Sequence, residues 1–176
     1  EGSRDFQEPI PDGMVWNMRY RDGNPNKFVP DTDESEVWER LEFFLNQLLP
    51  IAEENNVSLA AHPNDPPLSV MRRTGRILKN PSEYEKLLNI NKSPHNKIEM
   101  CLGSIQEMEE DGLELYLDKF SKENRIGYIH FRNVIGKVPN YVEAFVDDGD
   151  INMVNVIRIL KKITLMVLLF LIIHQL

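Results

Sequence analysis

Three short strings carry the residues best suited to chemistry: Ala-Ala-His62-Pro-Asn-Asp-Pro-Pro, Glu-Met-Cys101-Leu-Gly and Ile-His130-Phe-Arg-Asn. Each opens on an apolar run that reads as a buried strand and closes on an imidazole or a thiol. Intervals of 39 and 29 residues separate the three candidate ligands, and each interval has room for one helix and its loops. A ligand at the carboxyl end of each successive parallel strand is how a β/α barrel assembles a metal site. Imidazole suits zinc, iron, manganese and nickel, whereas thiolate favours softer ions. Three protein ligands with an open position give a Lewis-acid site rather than a structural one, and a carboxylate commonly supplies the fourth ligand.

Each of these residues also has a plainer reading. A histidine at a strand end is often a polar residue satisfied by a neighbour, and a free cysteine is often a small core residue. Asp65 is either a proton carrier beside a metal or a turn residue in a Pro-rich loop. Arg132 and Asn133 follow His130 directly. The guanidinium either holds a substrate carboxylate in a bidentate fork or pairs with Glu143 or Asp147 across the following loop. His95, in Ser-Pro-His-Asn, precedes the second strand and so lies at its amino end, the wrong face for a barrel active site. Arg72, Arg73 and Arg76 form a short basic cluster that meets an anion or stays solvated.

The elements that must position these groups follow from periodicity and punctuation. Residues 1–32 are rich in Pro, Gly, Asp and Asn and read as a long loop, with a short strand within Met14 to Tyr20. Asp33, with Glu36 three residues on, caps a helix carrying Val37, Leu41, Phe44, Leu45 and Leu48 at helical spacing, which Pro50 kinks or ends. Strands are expected over Val57 to Ala61, Lys97 to Cys101 and Ile126 to Phe131. Ser82 with Glu85, and Ser104 with Glu107, read as capping boxes, the first opening a helix to Ile90. Leu113 to Lys122 reads as helix. Arg132 to Gly149 reads as a functional loop, and Asp150 as the cap of a last helix through Lys162. Alternating helices and strands mean parallel strands with helical crossovers, an α/β class.

The 176 residues are enough for one well-packed domain but short of the roughly 250 that a complete β/α barrel uses. A net charge of −8 argues against a nucleic-acid partner. One cysteine excludes an internal disulfide and suits a reducing, cytoplasmic compartment. No export signal opens the chain, and the apolar run Ile163 to Ile173 is too short for a membrane span of about twenty residues.

Five strings together, Met-Val-Trp-Asn-Met-Arg-Tyr, His-Pro-Asn-Asp-Pro-Pro, Cys-Leu-Gly-Ser, His-Phe-Arg-Asn-Val and Asp-Asp-Gly-Asp, resemble the mannonate dehydratase family over residues 10–163. The resemblance implies a partial TIM-type (β/α)8 barrel, xylose-isomerase-like, lacking its amino-terminal half. It implies a lyase that dehydrates D-mannonate to 2-keto-3-deoxy-D-gluconate in hexuronate (glucuronate) breakdown, acting on a small sugar acid and homo-oligomeric when full length. It further implies Mn(II) or Fe(II), with His62, Cys101 and His130 as ligands, Asp65 as a catalytic group, and Arg132 and Asn133 as substrate contacts. The domain reading is a loop-rich excursion over 1–32, a barrel portion over 33–163 and an apolar tail over 164–176.

The sequence departs from the family pattern at two places. Asn64 stands where the family usually has Asp. The tail lacks the family's Pro-Asp-His string, whose Asp would be the fourth ligand. Suitable codons for the tail, shifted by one base, encode Pro-Asp-His-Thr-Pro. That motivates the hypothesis of a frameshift near Ile163, with weak or no metal retention and no turnover expected from this polypeptide alone. Resequencing the DNA through these codons tests it. Two rival readings are a sugar isomerase of similar barrel shape, against which Cys101 speaks, and a non-catalytic remnant.

Overall fold

In the computed structural model, residues 31–71 and 73–162 are described, together with the backbone of three short strands outside them. The elements in chain order are β1 (Ser3–Arg4), β2 (Asn17–Arg19), α1 (Glu34–Glu54), β3 (Leu59–Ala61), β4 (Val70–Met71), β5 (Thr74–Gly75), α2 (Glu83–Ile90) and β6 (Asn96–Cys101). There follow α3 (Leu102–Gln106), α4 (Leu113–Lys122), β7 (Ile126–Phe131), β8 (Asn133–Lys137), β9 (Asn140–Ala144), α5 (Met153–Lys162) and β10 (Leu168–Leu171).

The organising layer is a four-stranded sheet in the order β10-β7-β6-β3, every neighbouring pair parallel. Parallel neighbours require crossovers, which α2 provides between β3 and β6, and α3 with α4 between β6 and β7. β6 and β7 turn Ile98, Met100, Ile126 and Ile129 into the core, as suits strands covered by helices. Ile98, Met100 and Ile129 are fully buried, as are Leu102, Leu117 and Phe120 from the covering helices. Full burial of each such side chain contributes about 1.5–3 kcal/mol. A second, antiparallel sheet runs β1-β2-β9-β8, around a small cluster of Val134, Val138 and Tyr141. Among the described residues no helix is long and apolar enough to cross a membrane.

Several expectations hold closely. The helix at Leu113–Lys122 and the strand at Ile126–Phe131 have the bounds read from sequence, and Asp33 caps α1 by accepting the Glu36 N–H at 2.8 Å. Others are corrected. Pro50 lies inside α1, which continues to Glu54. Residue 50 is exposed, so water can take the carbonyl that proline leaves without a donor. The buried stripe of α1 is Trp38, Leu45, Leu49 and Ala52, while Phe44 is exposed beside an apolar groove of about 500 Å³ between α1 and the edge strand β3. Residues 133–144 are a hairpin, β8 and β9, rather than a loop, because Val134 and Tyr141 have a cluster of their own to enter. Asp150 does not cap α5. Its carboxylate accepts the Gly136 N–H, and Asn152 accepts the Asn155 N–H at the helix start. Ser82 stands at the N-cap position of α2, which ends at Ile90 as read, but its hydroxyl makes no capping bond and donates to Glu110, while Ser104 sits within α3 rather than capping a helix. The frameshift expectation falls on a tail whose residues 163–167 and 172–176, His174 included, lie outside the described ones, as does Arg72.

Candidate metal centre

His62 follows β3, Cys101 ends β6 and His130 lies near the end of β7. Parallel pairing puts these carboxyl ends on one rim, with Cys101 directly opposite His130 in the register. One ligand atom from each of the three residues lies within 4.8 Å of those of the other two. Cys101 is buried, His130 half-buried, and the His62 side chain is 36% exposed. Two imidazoles and a thiol therefore converge at a rim that solvent reaches from the His62 side.

The electrostatics favour a thiolate at Cys101 and a proton on His62 that a bound metal would have to displace. Burial by itself would push the Cys101 thiol up, but hydrogen bonds from His130, His62 and Ser104 and the charge of His62 bring it down to about 6. Burial would push the His62 imidazole down, but the hydrogen bond and charge of Cys101, the charge of Glu99 and the Pro63 carbonyl carry it up to about 9. At neutral pH the sulfur is thus a thiolate, the form that binds metal. The His62 Nδ1 lies 2.6 Å from the Pro63 carbonyl oxygen. A carbonyl only accepts, so Nδ1 carries the proton and Nε2 faces the cluster.

Two groups that sequence reasoning passed over complete the site. Glu99, buried in β6, places Oε1 2.6 Å from His130 Nδ1 and 3.5 Å from His62 Nε2. Its other oxygen accepts the Tyr128 hydroxyl, an interaction that with burial pushes the tyrosine up to about 12. The available signal was spacing, since Glu99 stands two residues before Cys101, and alternate residues of a strand share a face. Ser104 is the second. Its hydroxyl lies 3.1 Å from Cys101 Sγ and 2.9 Å from Asp65 Oδ2, joining the thiolate to the Pro-rich loop.

Asp65 is held from three sides. Oδ2 accepts Ser104 and Arg132 Nη1, each at 2.9 Å, and Oδ1 accepts the Tyr141 hydroxyl at 3.1 Å. Its side chain remains 28% exposed. Arg132 is buried and faces inward into acids. Nε donates to Glu143 Oε1 and Oε2 at 3.0 and 2.8 Å, and Nη2 lies 2.6 Å from Glu107 Oε1. Burial pushes the Glu107 carboxyl up to about 9 against the pull of Arg132, and the charges of Asp65 and Glu143 push the same way, so Glu107 is neutral at pH 7. Gly103 matters here, because a Cβ on it would come within 2.9 Å of the Arg132 side chain.

The expected substrate contacts sit differently from that expectation. Arg132 pairs with Glu143, the plainer of its two readings, and its fork is occupied by protein carboxylates. Asn133 is fully buried and gives its amide to the backbone, donating to Val146 and Ile151 and accepting from Val134 and Ile151. Gly149 permits that packing, since any added Cβ would overlap the Asn133 amide. Asn64 caps the Ile77 carbonyl. His95 sits at the amino end of β6, away from the triad, with Nδ1 3.4 Å from Ser58. Arg73 pairs with Asp31 at the surface.

A family model described as D-mannonate dehydratase (UxuA) matches residues 25–169. The chain belongs to the D-mannonate dehydratase family. It is 38% identical over 137 residues to a mannonate dehydratase of Oceanobacillus iheyensis, covering 74% of this chain and 38% of that one. A mannonate dehydratase of Thermotoga neapolitana is 34% identical over 134 residues, 76% of this chain and 36% of that one. The crystal structure of mannonate dehydratase from Streptococcus suis serotype 2 superposes with a TM-score of 0.81 at 29% identity, over 96% of this chain and 52% of that one. The chain therefore spans between a third and two fifths of the length of these curated relatives.

Proposed function

We propose that this chain is the metal-holding portion of a D-mannonate dehydratase, a lyase of hexuronate breakdown, and that its parallel sheet of β3, β6, β7 and β10 belongs to a sector of a (β/α)8 barrel, with residues 33–163 as the barrel portion. The observation that carries the reading is the convergence of His62, Cys101 and His130 within 4.8 Å at one sheet rim, in a family named for that reaction. The donor set fits a divalent transition ion: one thiolate and two imidazoles, with an open side at His62. Mn(II) or Fe(II) would be held by these three residues. When bound, such an ion supplies Lewis-acid polarisation of the sugar acid's carboxylate and neighbouring hydroxyl.

The chain's own residues account for the rest. Dehydration removes the proton on the carbon beside the carboxylate and expels the next carbon's hydroxyl as water. The resulting enol gains a proton on the carbon that lost the hydroxyl, gives up its own O–H proton, and becomes the 2-keto-3-deoxy acid. Asp65 is the group here suited to move a proton at the substrate, because it borders the triad through Ser104 and keeps part of its carboxylate open. Arg132, Ser104 and Tyr141 fix its orientation. Asn133 braces the loop that carries Gly149 and Asp150 rather than touching substrate.

A chimera tests this. Residues 33–163 would replace the matching segment of the Oceanobacillus iheyensis relative, with Mn(II) and D-mannonate supplied. Formation of the 2-keto acid, abolished by Cys101→Ala, is the expected result. A folded chimera that binds metal but gives no product, with the parent enzyme active alongside, would contradict the proposed function.

A further inference from the structure

A metal-ligating histidine works only if its ring is held in the tautomer that offers the correct nitrogen, and the other nitrogen usually has a fixed partner. For His62 that partner is the Pro63 carbonyl. For His130 the neighbour is Glu99, whose Oε1 is 2.6 Å from Nδ1. The carboxylate does not itself join the group of ligand atoms that lie within 4.8 Å of one another, which comprises His62, Cys101 and His130. It is held from behind by the Tyr128 hydroxyl, in a strand position paired directly with Glu99. Glu99 and Cys101 share one face of β6, and Tyr128 and His130 share one face of β7.

We propose that Glu99 is a positioning residue of the centre: it accepts the Nδ1–H of His130 and so turns Nε2 toward the space beside Cys101, with Tyr128 holding the carboxylate in place. Burial of Glu99, whose side chain is 5% exposed, supports the assignment. A carboxylate taken out of water is retained where its oxygens have partners: Oε2 accepts the Tyr128 hydroxyl, and Oε1, otherwise without a hydrogen-bond partner, has His130 Nδ1 as its neighbour at 2.6 Å. The role also explains why an acid occupies a buried position between Ile98 and Met100. The assignment rests on the reading of the triad as a metal centre.

The test uses the full 176-residue chain, cobalt(II) as an optical probe and zinc for nitrogen NMR of the histidines. In wild type, cobalt is expected to give a thiolate charge-transfer band, and zinc-loaded His130 is expected to be metal-bound through Nε2 with a proton on Nδ1. Glu99→Ala should weaken cobalt binding about 10- to 100-fold. Glu99→Gln, which keeps an acceptor oxygen in the same volume, should recover part of that loss. Tyr128→Phe should weaken binding less than Glu99→Ala. Thermal melts of the metal-free variants separate this from unfolding. If Glu99→Ala is too unstable to titrate, the wild-type NMR assignment decides alone. Ligation through Nδ1, or unchanged cobalt affinity in folded Glu99→Ala, would overturn the role of Glu99 and leave the metal centre standing. A wild-type chain with no thiolate band at saturating cobalt would refute the metal centre itself.

Discussion

Removal of the Arg132 guanidinium is the sharpest perturbation of the network behind the centre. The residue is 6% exposed, and its nitrogens meet Glu143, Glu107, Asp65 and Ser104. Arg132→Met keeps most of the side-chain volume while deleting the charge and five donors. Glu107 is already neutral at pH 7 and adds little to the resulting repulsion. The uncompensated charge falls on Glu143, whose side chain is only 6% exposed. Breaking a buried pair from one side costs about 3–5 kcal/mol. That is a large share of the 5–15 kcal/mol that typically stabilises a domain. Urea unfolding followed by far-UV circular dichroism at pH 7 measures it. The double variant Arg132→Met with Glu143→Met should recover most of the loss, since the charge then left without Arg132 is that of Asp65, which is 28% exposed and keeps Ser104 and Tyr141 as donors. A loss below about 1 kcal/mol in the single variant, the size seen for exposed ion pairs, would refute the argument and mean that water reaches the cluster.

Three other outcomes follow from the same geometry. The raised Glu107 carboxyl contributes stability that is complete below its unfolded value of 4.5 and lost as pH rises toward its folded value of about 9. Relative to Glu107→Gln, wild type should therefore lose stability from about pH 5 to about pH 8, by at most about 1.4 kcal/mol per pH unit, and a difference that is flat or rises with pH in paired melts would count against this. Gly149→Ala should destabilise by about 1–3 kcal/mol, because the new methyl must displace the Asn133 amide and its buried hydrogen bonds; a neutral effect in urea titration would show that the loop moves freely. Asp65→Asn in the chimera should lower kcat about 10²- to 10⁴-fold with metal binding intact, whereas a fall in metal occupancy of similar size would make Asp65 a structural residue.

The parts of this molecule legible in the sequence are those whose signal is local. Ile126–Phe131 is a β-branched and aromatic run between turn residues, and it folds with the expected bounds. His62, Cys101 and His130 could be read as candidate ligands because a repeated strand-then-ligand pattern needs no knowledge of the tertiary structure, and their ligand atoms converge within 4.8 Å. The misread residues are those whose partners are distant. Ser104 and Glu107 have the spacing of a capping box, yet Ser104 bridges Asp65 and Cys101, and Glu107 meets Arg132 in the interior. A pattern that satisfies a helix end locally can equally serve contacts 25 to 39 residues away in the chain. For Arg132 and Asn133, read as substrate contacts because they follow a ligand, the partners within the chain, Glu143 and the backbone of Val146 and Ile151, could not be singled out while residues 132–149 read as a loop. Glu99 was overlooked because charge in a buried strand position has no meaning until its neighbours, Tyr128 and His130, are known.

The central claim is that one divalent ion binds His62, Cys101 and His130 together. X-ray absorption at the zinc edge of the zinc-loaded chain tests it most directly. The account predicts one sulfur at about 2.3 Å and two imidazole nitrogens at about 2.0–2.1 Å, with the sulfur contribution lost in Cys101→Ala. A shell of oxygen and nitrogen alone, identical in wild type and Cys101→Ala, would contradict it.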